Sequence, residues 1–180
     1  MELRTERLYL RDWREEDKEG LLVIANNRKI WRNLMDIFPH PYTSEEADKW
    51  IEINKNAEKK KNSFVIIYNN VIVGGIGFDL QKNNHCKTAT IGYWLGEPYW
   101  GKGIASEALV AVTAYAFNNF DIERIDAAVF EWNPASARVL EKCGYLFEGK
   151  HHNNIFKDDE ITSELFYYML RENFEKKQIE

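Results

Sequence analysis

Apolar positions along this chain fall into short β-like runs separated by polar turns, broken by stretches where they recur at helical spacing. Leu8 to Arg11 reads as a first strand. Asp12 and Glu15 have capping-box spacing for a helix running to about Asn26. From Ile30 to Tyr42 the periodicity lapses, and Pro39 and Pro41 exclude regular structure. Thr43 and Glu46 repeat the capping-box pattern, and Ala47, Trp50, Ile51 and Asn54 then follow on one helical face. Phe64 to Tyr68 and Val71 to Phe78 flank the turn signal Asn69-Asn70, which predicts a hairpin. Gly74, Gly75 and Gly77 within it mark a bulge or a close backbone approach. A strand over Thr88 to Leu95 leads into a glycine-rich turn at Trp100 to Ala105. A helix opens there, with Ala105, Leu109, Val112 and Ala116 as its buried stripe. Arg124 to Phe130 is the next strand. Asn133 caps a short helix with Pro134 at its first position, and Gly144 stops it. Tyr145 to Lys150 and Ser163 to Leu170 are the last strands. The pattern predicts an α/β (α+β) class: a mixed, mostly antiparallel central sheet of about six to seven strands, with about four helices on both faces.

The 180 residues are read as a single domain spanning 1–180, without internal repeat or linker. The low-complexity patch Glu58-Lys59-Lys60-Lys61 reads as a solvated helix end. Net charge is −5, which argues against general nucleic-acid binding, because counterion release needs a basic face. Cys86 and Cys143 are too few for a disulfide scaffold in a domain of this length. The N-terminal M-E-L-R-T-E-R-L-Y-L-R holds no apolar stretch of signal-peptide length, and no run of about 18 apolar residues occurs. The expectation is a cytoplasmic protein with no membrane partner. Neither His85-Cys86, Cys143 nor His151-His152 has zinc-site spacing, so no metal is expected.

Two stretches carry chemistry. The first is W-G-K-G-I-A, Trp100 to Ala105, after a strand and opening a helix. The first turn of a helix leaves backbone N–H groups unpaired and partially positive. Glycines at 101 and 103 let a bulky anion such as a pyrophosphate reach them. By itself the signal fits a tight turn equally well. No G-x-G-x-x-G opens this helix, so the dinucleotide fingerprint is missing. The second stretch is N-P-A-S-A-R-V-L-E-K-C-G-Y, Asn133 to Tyr145. Asn133 and Ser136 stand at the helix mouth, and Val139, Leu140 and Cys143 form an apolar face.

With these two stretches in this order, the sequence resembles the GNAT superfamily of N-acetyltransferases, and within it the RimJ/RimL-like branch that acetylates ribosomal-protein N-termini. T-E-R-L-Y-L-R, F-P-H-P-Y-T, I-G-Y-W-L-G-E-P-Y-W-G-K-G-I-A-S-E-A, N-P-A-S-A-R-V-L-E-K-C-G-Y-L-F-E-G and the late strand ending in Tyr168 carry the likeness. The resemblance implies acetyl-CoA as co-substrate and splayed strands at Ile91–Leu95 and Ile125–Phe130. It puts pantetheine on the backbone of Trp94 and Leu95, much like an added strand. The family's phosphate loop, Q/R-x-x-G-x-G/A, maps to Trp100, Gly103 and Ala105. With Trp100 in place of Gln or Arg, phosphate binding falls to the backbone N–H groups of Trp100, Gly101, Lys102, Gly103, Ile104, Ala105 and Ser106, with help from the Lys102 side chain.

The resemblance further implies direct transfer to a primary amine in a ternary complex. A backbone N–H near Trp94 or Leu95 stabilises the oxyanion. Ser136, matching the branch's N-x-x-S motif, stands by the leaving sulfur, and Asn133 contributes to the cofactor site. Many relatives carry a Glu base where this chain has Thr90, which leaves Glu97 and Asp36 as alternatives. Cys143 is read as core and not as an acyl carrier. The acceptor is expected along Ile30 to Tyr42, through Trp31, Asp36, Phe38, His40 and Tyr42, with Trp31 and Phe38 readable as core as well. The preferred acceptor is a protein or peptide α-amine. A small amine (polyamine, aminoglycoside or amino acid) is the alternative, as is a non-catalytic acyl-CoA sensor. The assembly expected is a monomer or homodimer.

Overall fold

The computed structural model describes residues 2–55 and 62–179. The patch Glu58–Lys61 lies outside them. Among the described residues there are eight strands and six α-helices: β1 (Glu2–Arg4), β2 (Leu8–Arg11), α1 (Lys18–Ala25), α2 (Arg28–Trp31), α3 (Ser44–Lys55), β3 (Asn62–Tyr68), β4 (Val71–Leu80), β5 (Thr88–Leu95), α4 (Ile104–Asn119), β6 (Arg124–Phe130), α5 (Pro134–Cys143), β7 (Leu146–Lys157), β8 (Glu160–Leu170) and α6 (Arg171–Ile179). The strands hydrogen-bond in the order β1-β2-β3-β4-β5-β6-β8-β7. Only β5 and β6 are parallel among the ladders with an assigned register. The chain divides into two compact units, one of Met1–Gly77 with Tyr93–Ala108, the other of Phe78–Gly92 with Leu109–Glu180.

In the first unit, β1, β2 and β3 form an antiparallel ladder in which Leu3 faces Leu10 and Leu10 faces Ile66. Asn69 and Asn70 both take positive φ, the two-residue turn that suits the twist of the β3–β4 hairpin. Trp13, Leu21, Ala25, Tyr42, Ala47 and Val65 form a buried cluster, with Phe38, Trp50 and Trp94 packed against it. The expected capping box at Asp12 and Glu15 is replaced. Glu15–Asp17 is a single 3-10 turn ahead of α1, and Asp17 Oδ2 accepts from Arg14 N at 2.8 Å. The same carboxylate takes a two-pronged contact from Arg11, both bonds 2.7 Å long, with Arg11 8% and Asp17 2% exposed. Asp17 therefore caps the turn and neutralises a buried arginine at once. At Thr43 the expected cap forms, Glu46 N donating to Thr43 Oγ1 at 3.4 Å.

In the second unit, β6 pairs antiparallel with β8 along Arg124–Phe130, and β8 pairs with β7. β7 runs seven residues past its expected end at Lys150, and β8 starts before Ser163. The polar run His151–Asn154 shows no alternation of apolar positions. Its backbone nevertheless stays near β8 through a register shift between His151 and Ile155. α5 is as expected: Asn133 Oδ1 accepts from Ser136 N at 3.2 Å, Pro134 is its first residue, and Gly144 ends it at φ +90°. Ala137 and Leu140 are its buried residues, while Cys143 is half-buried. The stripe of α4 starts one residue earlier than its sequence suggests. Ile104 is buried and Ala105 only partly so, because the helix begins at Ile104. β1, α2 and α6 are additional to the expected elements: three residues, one turn, and a polar C-terminal helix.

Candidate active site

In the first unit the turn between β5 and α4 has the form an anion cradle needs. Gly101 and Gly103 take φ of +74° and +75°, which L side chains rarely adopt. Gly101, Lys102 and Gly103 are exposed, and a Cβ at Gly101 would meet nothing within 4 Å. Glu107 N already donates to Gly103 O, 3.1 Å. The N–H groups of Ile104 and Ala105 precede it in the first turn, where a helix supplies no acceptor of its own. These residues suit the phosphates of a coenzyme. The Lys102 ammonium lies 5.5 Å from the centre of the Tyr99 ring, at the edge of the same turn. Trp100, which the resemblance sets where Gln or Arg is usual, directs its indole N–H to Leu95 O at 2.8 Å. It ties the turn to the end of β5.

Leu95 is buried, and Trp94 packs its ring 5.2 Å from that of Phe38. Gly74 explains why the neighbouring strand carries glycines. A Cβ there would stand 2.2 Å from Trp94 O and 3.0 Å from Leu95 Cα. Gly75 likewise gives room to the Trp94 and Trp13 rings. The glycine run thus marks a close backbone approach at the two residues expected to meet the thioester.

The segment from Ile30 to Tyr42 sorts into a wall and its backing. The Trp31 and His40 rings lie 5.6 Å apart, tilted by 31°, and His40 and Asp36 are exposed. Phe38 and Tyr42 lie 5.0 Å apart. Tyr42 corrects the expectation for an acceptor contact. It is 6% exposed, its N–H donates to Asn26 Oδ1 at 3.1 Å, and burial holds its hydroxyl well above the ordinary tyrosine pKa. It braces the segment from behind. Met35 and Ile37, which were not singled out in the sequence, are the exposed apolar side chains here, at 56% and 80%. Apolar residues inside an aperiodic, proline-marked segment were the signal for them.

Glu97 is an engaged carboxylate. Asn27 Nδ2 donates to it at 2.9 Å and Lys29 Nζ bonds its other oxygen. Those bonds, the lysine's first, hold its carboxyl below the usual range. A carboxylate already satisfied in this way is a weak proton acceptor. The contacts instead join the loop after β5 to the start of α2.

In the second unit, Asn133 and Ser136 meet at the mouth of α5 through the capping bond, with Ser136 half-buried. The end of the helix is anchored by Tyr145, whose hydroxyl lies 2.7 Å from Thr113 Oγ1. Tyr167 donates to Glu141 at 3.0 Å; burial and that carboxylate push its pKa up to about 12. The parallel ladder pairs Thr88, Ala89 and Thr90 with Arg124, Ile125 and Asp126, and its register ends there. Thr90 Oγ1 accepts from Gln81 at 3.2 Å. Asp126, beside it in register, was not singled out from the sequence. Burial raises its carboxyl against the pull of Arg124, 2.5 Å away. Among the described residues, no three of His, Cys, Asp and Glu gather as metal ligands. Nor is any described helix long and apolar enough to cross a membrane.

A mixed sheet with a parallel β5–β6 pair, a glycine turn opening the helix after β5, and a capped Asn-Pro helix after β6 is the arrangement the resemblance implies for an N-acetyltransferase. The acetyltransferase (GNAT) domain model matches residues 7–146, and the chain belongs to that family. It is 34% identical over 152 residues to the uncharacterized N-acetyltransferase p20 of Bacillus licheniformis, covering 82% of this chain and 83% of that one. It is 29% identical over 149 residues to the ribosomal-protein-serine acetyltransferase of Escherichia coli, covering 81% and 82%. Two solved structures share the fold. One is RimL, a ribosomal L7/L12 alpha-N-protein acetyltransferase in complex with coenzyme A (TM-score 0.83, 23% identity, 94% and 98% covered). The other is a spermidine N-acetyltransferase from Vibrio cholerae with CoA and spermine (TM-score 0.80, 20% identity, 94% and 99% covered). The chain is an N-acetyltransferase, and its relatives include the RimL-like ribosomal enzymes.

Proposed function

We propose that the protein transfers the acetyl group of acetyl-CoA to the α-amine of a protein or peptide, acting as one catalytic domain over residues 1–180 in the cytoplasm. The observation that carries the donor site is the positive-φ pair Gly101 and Gly103 opening α4, beside the end of β5. The pyrophosphate lies on the N–H groups of the turn and of Ile104, Ala105 and Ser106, and pantetheine runs against the backbone of Trp94 and Leu95. RimL and the spermidine enzyme, which share the fold, were both solved with CoA.

In the reaction a neutral amine attacks the thioester carbonyl. The carbonyl oxygen takes up negative charge and a backbone N–H near Trp94 or Leu95 stabilises it. Collapse breaks the C–S bond. Ser136 hydrogen-bonds the departing sulfur, and the amine loses its proton to water. Trp31, Asp36, Phe38, Met35 and Ile37 receive the acceptor, with the exposed Asp36 carboxylate near the incoming cation.

The likeness to the E. coli ribosomal-protein-serine enzyme supports a protein acceptor, the shared fold of the alpha-N-protein acetyltransferase RimL favours its α-amine, and the shared fold of the spermidine enzyme keeps polyamines as the second reading. The test is release of free thiol from acetyl-CoA with N-terminal peptides and polyamines side by side. Turnover of polyamines alone would reverse the preference. Absence of thiol release with every amine, despite CoA binding, would leave only the sensor reading.

A further inference from the structure

The turn that opens α4 is held from outside by a residue far away in sequence. Arg7, in the connection between β1 and β2, reaches it with its whole guanidinium. Nε donates to Glu107 Oε2 at 2.7 Å, Nη2 approaches the same oxygen at 2.6 Å, and Nη1 donates to the carbonyl of Lys102 at 3.0 Å. The other oxygen of Glu107 accepts from Arg7 N at 2.9 Å and from Thr5 Oγ1 at 2.5 Å. A Cβ on Gly103 would stand 3.4 Å from Arg7 Nη2, so the guanidinium lies against the turn itself. Glu107 is in the first turn of α4, with a side chain 18% exposed.

These contacts have a geometric consequence. In a trans peptide the carbonyl and the next N–H point in opposite directions. Fixing Lys102 O on the guanidinium therefore aims the Gly103 N–H away from Arg7. The Arg7 charge is cancelled by Glu107, so its service is orientation and not attraction. A glycine turn is conformationally loose, and a loose cradle binds more weakly because ordering it opposes binding.

We infer that Thr5, Arg7 and Glu107 form a clasp that preorganises the Lys102–Gly103 peptide, making Arg7 a positioning residue for the phosphates of the donor. The inference rests on the acetyl-CoA reading given above. It assigns a task to T-E-R at the start of the chain, a stretch that the family resemblance includes without a role.

The experiment compares wild type with Arg7→Met, Arg7→Lys and Glu107→Gln. CoA affinity is read by calorimetry, and acetyl-CoA and S-acetylpantetheine, which has no pyrophosphate, serve as alternative donors. Arg7→Met should weaken CoA about ten- to a hundredfold, the scale on which a misplaced binding group acts. KM for acetyl-CoA should rise with it, while kcat at saturating donor stays within about twofold. With S-acetylpantetheine, kcat/KM should change by less than about twofold, since that donor has no phosphate for the turn to hold. Arg7→Lys and Glu107→Gln, each keeping part of the clasp, should fall between, and they carry the test if Arg7→Met does not fold. CoA affinity within twofold of wild type in a folded Arg7 variant overturns the clasp and leaves the CoA site standing. Equal losses with both donors overturn it too, since that is general disruption. If wild type itself does not bind CoA, the cofactor reading falls and the clasp with it.

Discussion

Gly74 offers a direct test of how closely β4 supports the thioester site. Gly74→Ala adds one methyl group in a backbone conformation any residue can adopt, so strain at the glycine itself is not the issue. The issue is Trp94 O, 2.2 Å from the added carbon, where ordinary contact begins at 3.4 Å. Leu95 Cδ2 at 2.8 Å and Leu95 Cα at 3.0 Å close the same space. The deficit of about 1.2 Å falls on backbone, which cannot rotate away as a side chain can, and Gly96 N holds that backbone to Val73 O at 2.8 Å. Displacement of this size at an overpacked position costs about 1–3 kcal/mol of stability. If the Trp94–Leu95 backbone carries the oxyanion donor, a shift of about 1 Å also lowers kcat by about 10²-fold. Urea unfolding gives the first number, and thiol release at saturating donor and acceptor gives the second. Gly92→Ala is the control. Its Cβ meets nothing within 4 Å, so stability should stay within about 0.5 kcal/mol of wild type. A Gly74→Ala protein with wild-type midpoint and kcat would refute the close approach and the role assigned to it.

Asp17→Asn should destabilise by about 3–5 kcal/mol in urea, since it strands the buried Arg11, and Arg11→Met with Asp17→Leu together should cost less than Asp17→Asn alone. Ser136→Ala should lower kcat by up to about 10²-fold with the Kd for CoA unchanged, read by thiol release and calorimetry. Equal kcat with chemistry rate-limiting removes the hydroxyl from the reaction. Glu107 is partly buried, which raises its pKa, yet the bonds from Thr5 and Arg7 outweigh this and leave it below the ordinary value. Its stabilisation is present above the unfolded pKa of about 4.3 and lost as pH falls through the lower folded value. The gap in Tm between wild type and Glu107→Gln should therefore be full at pH 7 and close toward pH 3.

What could be read from the sequence was what punctuation and local chemistry mark. The strands at Thr88–Leu95 and Arg124–Phe130 and the helix Pro134–Cys143 match their expected bounds. Turn or cap residues border each of them, and the Asn133 cap is an interaction three residues long. The glycine turn was legible for the same reason, since positive φ leaves few residue choices. Contacts between distant residues were not legible. Arg7 meets Glu107 a hundred residues away, and nothing in T-E-R or S-E-A announces the partner. Glu97 looked available because Lys29 and Asn27 are nearly seventy residues off, and Tyr42 looked like a wall because its burial depends on Asn26, Phe38 and the core behind it. β1 and the far half of β7 are held by backbone pairing, which leaves no apolar signature.

On the proposed reading, with Glu97 engaged by Lys29 and Asn27, and Thr90 where the family resemblance implies a glutamate, deprotonation falls to the acceptor's own equilibrium with water. An α-amine has a pKa of about 7.7–8.0 and a lysine side chain about 10.4, so their neutral fractions at pH 7 differ by over 10²-fold. The rate with a peptide whose only amine is its N-terminus should rise about tenfold per pH unit from pH 6 and level near pH 8. With a peptide whose only amine is lysine, it should be slower by about that same 10²-fold at pH 7 and still be rising at pH 9. Both profiles are measured at saturating acetyl-CoA, with chemistry shown to be rate-limiting. A profile already flat at pH 6.5 with both peptides would mean that a protein carboxylate takes the proton. Asp126 is then the first residue to replace: it lies beside Thr90 in register, and burial raises its carboxyl toward the range a base needs. An unchanged profile in Asp126→Asn, with the unaided rise seen in wild type, leaves the amine's own pKa as the determinant of which acceptors this site turns over.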